Sequence, residues 1–267
     1  MRLLTPIVPN ASAPMVRANP VAKLAAGFLI LIALFASLDG VTALIILAVL
    51  LGLLPVSGIA ASALLGRAWL VGIAAISIGV INVLFAPEQL GTTVMAVGQV
   101  RIGDETLVNG LGLAVRLLGV AMAGILSTAT SDPTEMADAL VQQLRVSHRF
   151  AVGVLAALRL LPLLAQEWQT IGLARRARGV DAGRSPIAAV RLFAGRLLAL
   201  LVGSIRRGSR MALAMEARGF GAMPCRTVAR AQRMRVGDWA WIGGAAALGA
   251  LAIGVSIALG TWRPLFG

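Results

Sequence analysis

The chain has 267 residues, a mean hydropathy of +0.88, 58% hydrophobic residues and 13% charged ones. Soluble domains carry about 25% charged residues, so the composition excludes an ordinary soluble enzyme and points to a membrane protein. The formal charge of +13 is concentrated, because residues 129–237 hold 17 of the 24 Lys and Arg and six of the 11 acids. A basic block beside apolar runs is a cytoplasmic topology signal, and no nucleic-acid partner is expected. One cysteine (Cys225) and one histidine (His148) leave no multi-cysteine or multi-histidine metal cage.

Polar, Pro-rich sequence precedes the first apolar run, which argues against a cleaved signal. The run 24–38 follows Lys23 and stops at Asp39-Gly40, a turn signal, and 41–56 follows directly. Both are short against the about 20 residues of a full span. The spacing predicts a tight helical hairpin that thins the bilayer locally or borrows flanking small residues. The third run, 68–86, has no charge. A polar loop, 87–105, carries Glu88, Asp104 and Glu105 against Arg101 alone. The fourth span, 107–129, is interrupted by Arg116, and the last apolar run is 239–260. Ala245, Gly249, Ala250 and Gly254 there permit close helix approach.

These runs predict an all-α membrane protein with about five transmembrane helices. Residues 1–130 form an N-terminal membrane region, 131–237 a cytoplasmic domain of amphipathic helices, and 238–267 a final span and tail. Arg2, Arg17, Lys23, Arg67 and the basic block mark inner segments, and the acidic loop 87–105 an outer one. Arg263, at the outer end of the last span, is the single dissent. Within the basic block, Ser131-Asp132-Pro133 reads as a helix start. Residues 150–178 form an amphipathic segment interrupted by Arg159 and Pro162, and 186–218 form another. Their apolar stretches suit helices lying along a membrane face or against partner helices.

One octet recurs. Leu-Ala-Arg-Arg-Ala-Arg-Gly-Val at 173–180 returns as Leu-Ala-Met-Glu-Ala-Arg-Gly-Phe at 213–220. Gly at a helix C-cap with Arg in the last turn is ordinary helix punctuation. That accounts for Arg-Gly but not for the Leu-Ala shared before it. An Arg held at a helix end presents a planar fork to carboxylates or carbonyls in a groove, so two such ends would dock two similar grooves. The groove-docking candidates are therefore Ala177, Arg178, Gly179, Ala217, Arg218 and Gly219. Arg116, Arg159, Pro162, Glu167 and Glu216 are further candidates for structural or coupling roles. An ionisable residue within a span is a functional hypothesis by default, and Asp39 and Glu167 are the only partners the sequence offers Arg116. No G-x-x-x-x-G-K-[ST] occurs and Lys23 is the only lysine, so the chain carries no Walker-type ATP site.

These residues resemble the transmembrane T component of energy-coupling factor transporters, the CbiQ/EcfT-type proteins. The likeness begins at Asn19-Pro20-Val21-Ala22-Lys23 and continues through Thr130-Ser131-Asp132-Pro133 to Leu140. It then covers Leu158 to Leu164 with Glu167, and both Ala-Arg-Gly ends. The resemblance implies a non-catalytic subunit of a multi-pass transporter in a prokaryotic cell membrane. It implies two ABC ATPase partners, which bind the ATP and whose grooves would take the ends at Ala177-Arg178-Gly179 and Ala217-Arg218-Gly219. It also implies that the amphipathic segments of 131–237 act as coupling helices, and that a membrane S component captures a vitamin or transition-metal ion. No cofactor is expected on this chain. Two rival readings remain: a self-contained secondary transporter or channel, with Arg116 lining the path, and a basic anchor for anionic lipid or nucleic acid.

Overall fold

A computed structural model of the protein describes residues 13–59, 61–86, 93–97, 100–181, 183, 185–220, 230–262 and 264. Arg2, Glu88, Arg184, Cys225 and Arg263 lie outside these residues, as do the side chains of Arg67 and Arg101. The elements run α1 (Pro14–Arg17), α2 (Pro20–Ala36), α3 (Gly40–Gly52), α4 (Leu54–Ser57) and α5 (Ala61–Leu84), then β1 (Thr93–Val97) and β2 (Val100–Gly103). There follow α6 (Asp104–Ala129), α7 (Pro133–Leu144), α8 (His148–Ala177), α9 (Pro186–Ala217) and α10 (Val236–Ala258). The strands form one antiparallel hairpin, so part of the expected polar loop 87–105 is paired. The other regular elements among the described residues are helices. The chain divides into two units, Met1–Ala139 with Gln232–Gly267, and Leu140–Ala231.

In the first unit α6 is the hub, packed on α2, α3 and α5, while α10 packs on α2 and α3. The expected hairpin of the first two apolar runs is thus only sequential, because α2 and α3 pack chiefly against α6 and α10. Glycine explains the preference for α6: a Cβ on Gly112 would stand 3.0 Å from the Gly40 Cα, so the two backbones lie in direct contact. Small residues let helices approach where lipid removes the hydrophobic drive to associate. The stripe Ala245, Gly249, Ala252 and Ser256 is buried on α10, and a Cβ on Gly249 would lie 2.9 Å from the Ala33 Cβ. Ala250 and Gly254 face outward instead.

Two buried cations join α2 to α6 reciprocally. Lys23 of α2 is 3% exposed, and its Nζ donates to the Thr130 carbonyl at the C-terminal end of α6 at 2.9 Å. Arg116 of α6 donates from Nη2 to the carbonyl of Ser37, the C-cap of α2. Each helix therefore satisfies the free carbonyls and negative dipole end of the other. The two run antiparallel, with Gly27 against Ser127 at one end and Leu34 against Gly119 further along.

Among the described residues, four helices are long and apolar enough to cross a membrane: α6, α8, α9 and α10. The chain is an all-α membrane protein, but the span count differs from the expected five. At 17 and 13 residues, α2 and α3 rise only about 25 and 20 Å, against about 30 Å of hydrocarbon. By length and hydropathy α8 and α9 qualify, although their arginines led the sequence reading to lay them along a membrane face. No residue of α9 is buried.

Candidate functional site

The two repeated octets close α8 and α9 with the same geometry. At the end of α8, Arg178 is the C-cap and Gly179 takes φ +75°. The Gly179 N–H donates to the Arg176 carbonyl at 2.9 Å, and the Val180 N–H to the Arg175 carbonyl at 3.0 Å. At the end of α9, Arg218 is the C-cap and Gly219 takes φ +72°. The Gly219 N–H donates to Glu216 at 2.9 Å and the Phe220 N–H to Met215 at 3.0 Å. Both are Schellman motifs, in which a left-handed glycine lets two N–H groups fold back onto the last carbonyls. The repeat in sequence is thus a repeat in backbone. The preceding arginines are exposed, and neither guanidinium has a hydrogen bond or ion pair within the described residues.

The helices that carry these ends form an antiparallel pair. Near one end, Arg175 donates to the Leu192 carbonyl at 3.1 Å. In the middle, Glu167 pairs with Arg207 at 3.1 Å, and Trp168 meets Phe193 edge to face at 5.3 Å. At the other end, His148 stacks on Phe220 with ring centroids 5.7 Å apart. The Arg178 and Arg218 ends therefore lie at opposite ends of the pair, about 45 Å apart along a 30-residue helix. Glycines set the crossing, since a Cβ on Gly172 would lie 3.0 Å from Arg196 Nη1, and one on Gly195 3.0 Å from Arg175 Nη1. Beside the Arg218 end the pair opens into a groove of about 440 Å³, lined by Leu160, Met211, Met215 and Phe220 with Arg149 and Glu216.

The other candidates fall in separate places. Ala177 and Ala217 are the last residues of their helices and are exposed. Arg159 is exposed, and α8 runs unbroken through Pro162, so neither residue interrupts the helix as expected. Glu167 belongs to the α8–α9 pair through Arg207, not to Arg116. Arg116 reaches backbone carbonyls, Ser37 and more weakly Asp39 at 3.5 Å. The Asp39 carboxylate is engaged by the Ser37 hydroxyl and by the Thr42 N–H at 2.7 Å. Sequence reasoning missed Asp238, which is 4% exposed and accepts from the N–H groups of Asn19 and Arg235, each at 2.7 Å. Its place in the first turn of an apolar helix was the available signal.

Residues 11–228 match the cobalt transport protein family, CbiQ. The chain belongs to this family. Several curated relatives of this CbiQ-family chain are energy-coupling factor transporter transmembrane proteins named EcfT. The protein of Exiguobacterium sibiricum is 32% identical over 168 residues, which cover 60% of this chain and 61% of that protein. That of Lacticaseibacillus paracasei is 34% identical over 173 residues, covering 62% and 65%. That of Bacillus subtilis is 30% identical over 138 residues, covering 49% and 52%. The chain thus spans less than two thirds of the length of these relatives. Both Arg-Gly ends lie inside the CbiQ-family match, and Asp238 lies beyond it.

Proposed function

We propose that this chain is the transmembrane coupling component of an energy-coupling factor importer. In this reading Arg178 and Arg218 each lodge in a groove of one of two cytoplasmic ABC ATPases. The pair α8–α9 passes their ATP-driven closure to a membrane S component that holds a vitamin or a transition-metal ion. The chain itself performs no catalysis, and the ATP is bound by its partners. The observation that carries the proposal is the pair of Arg-Gly ends with matching caps, whose guanidiniums have no partner among the described residues and which sit at opposite ends of one antiparallel helix pair. Two equal forks far apart suit two equal grooves. The EcfT names of the relatives support the same assignment. Arg116 argues against the secondary-transporter reading, because its guanidinium closes a helix end.

The test is association with the two ATPases. Removing a buried charged fork leaves the groove's acceptors unpaired, at about 2–5 kcal/mol. Arg178→Ala or Arg218→Ala should weaken ATPase binding at least about tenfold, at roughly 1.4 kcal/mol per decade. Lys at either position should restore it only in part, since it keeps the charge and loses the planar fork. Arg184→Ala and Arg230→Ala, in the same basic block, should leave binding unchanged. Equal losses from all four variants would replace docking by diffuse charge. Robust ATP-independent uptake by the purified chain in liposomes would replace coupling by secondary transport.

A further inference from the structure

The polypeptide passes between the two units twice, once outward along α7 and once on its return before α10. Within the first unit, the chain leading to the first crossing and the chain following the second are both tied to one turn of α2. On the outward side, Lys23 Nζ holds the Thr130 carbonyl, three residues before α7 begins at Pro133. On the return side, the Asn19 N–H donates to Asp238 Oδ1 in the first turn of α10, while the other carboxylate oxygen accepts from the Arg235 N–H. The same turn is stiffened internally, because the Asn19 side chain caps the Val21 N–H at 2.9 Å and Pro20 fixes the first helical residue. Asn19, Lys23, Thr130 and Asp238 are all buried.

We propose that the Asn19–Lys23 turn is a clamp on the two chain segments that lead to and from the Leu140–Ala231 unit, and that Lys23 is the positioning residue through which movement carried along those segments reaches the membrane helices. This rests on the coupling role proposed above. A merely structural cap would behave as Arg116 does at the opposite end of the same helix pair. Arg116 is also a cation on a helix C-terminal carbonyl, but it holds the α2–α3 turn, where no crossing occurs. The two residues therefore separate clamping from simple stabilisation.

Hydrogen exchange resolved by peptide supplies the test, first on the purified chain and then on its complex with the two ATPases, with and without ATP and vanadate. In the chain alone, Lys23→Met should speed exchange in 131–139 and 232–238 at least about tenfold, equal to about 1.4 kcal/mol, and leave 37–42 unchanged. Arg116→Met should do the reverse. In the complex, the nucleotide-dependent differences within α2 and α10 should vanish in Lys23→Met and persist in Arg116→Met, with ATPase association kept in both. Nucleotide-dependent differences of wild-type size in Lys23→Met would overturn the clamp, as would an equal loss in the two variants. If Lys23→Met fails to insert, Asp238→Asn is judged by the same criteria at 232–238 and α10. A wild-type complex that forms but shows no nucleotide-dependent difference anywhere would count against the coupling reading instead, while the exchange pattern of the isolated chain still decides the clamp.

Discussion

Gly179 and Gly219 do for the two helix ends what no other residue does at low cost. A side chain at φ above +70° meets the neighbouring carbonyl and costs about 1–2 kcal/mol. Gly219→Ala should therefore loosen the turn that holds Arg218 and weaken ATPase association about fivefold or more, on the order of 1 kcal/mol. Gly124→Ala, in right-handed helix with open space around it, is the control, and binding titration on both variants checks the difference. These glycines were readable in advance, because the signal lies in the residue type itself. The environment of Arg116 was not. A charge within a span announces itself, but its acceptors are main-chain carbonyls, which every residue carries and no sequence pattern marks. The same limit hid Lys23 and Thr130 as partners, although both stood in the motifs that carried the resemblance.

At the scale of elements, apolar runs located the helices and said little about how they pair. The start at Ser131-Asp132-Pro133 was legible, because a cap and a proline act locally; Asp132 accepts from the Thr134 N–H at 2.6 Å. The pairing of α8 with α9 depends on contacts between residues such as Trp168 and Phe193, for which hydropathy has no term. Pro162 misled for a related reason: a proline removes one helical hydrogen bond and crowds the preceding turn, yet a helix of 30 residues carries on through it. The crossing gives a direct prediction. Gly172→Leu would drive the Arg196 guanidinium off the helix surface, and overpacking of this kind costs about 1–3 kcal/mol. In a Cys225→Ser background, cysteines at Ala156 and Ala212, which face the same groove, should then cross-link in lower yield.

For the whole molecule, orientation is the property that charge asymmetry addresses and helix packing does not. The distribution of Arg against Asp and Glu predicts a cytoplasmic side for the basic stretch 129–237 and an outer side for the acidic loop 87–105. An impermeant maleimide should accordingly leave Cys225 unlabelled in intact cells and reach it in inverted vesicles. A cysteine at Thr92, in a Cys225→Ser background, should show the opposite pattern. Labelling of Cys225 from outside would reverse the assignment.

The exchange of caps between α2 and α6 also bears on biogenesis. Lys23 and its acceptor are 107 residues apart in sequence, and Arg116 and its acceptor 79. When α2 first leaves the ribosome it therefore carries a bare ammonium at one end and open carbonyls at the other, with both complements still unsynthesised. Hydrocarbon offers neither a counter-charge nor a donor. This exchange predicts that α2 stays near the water interface or in the insertion machinery until α6 is translated, and that the two settle to their final depth together.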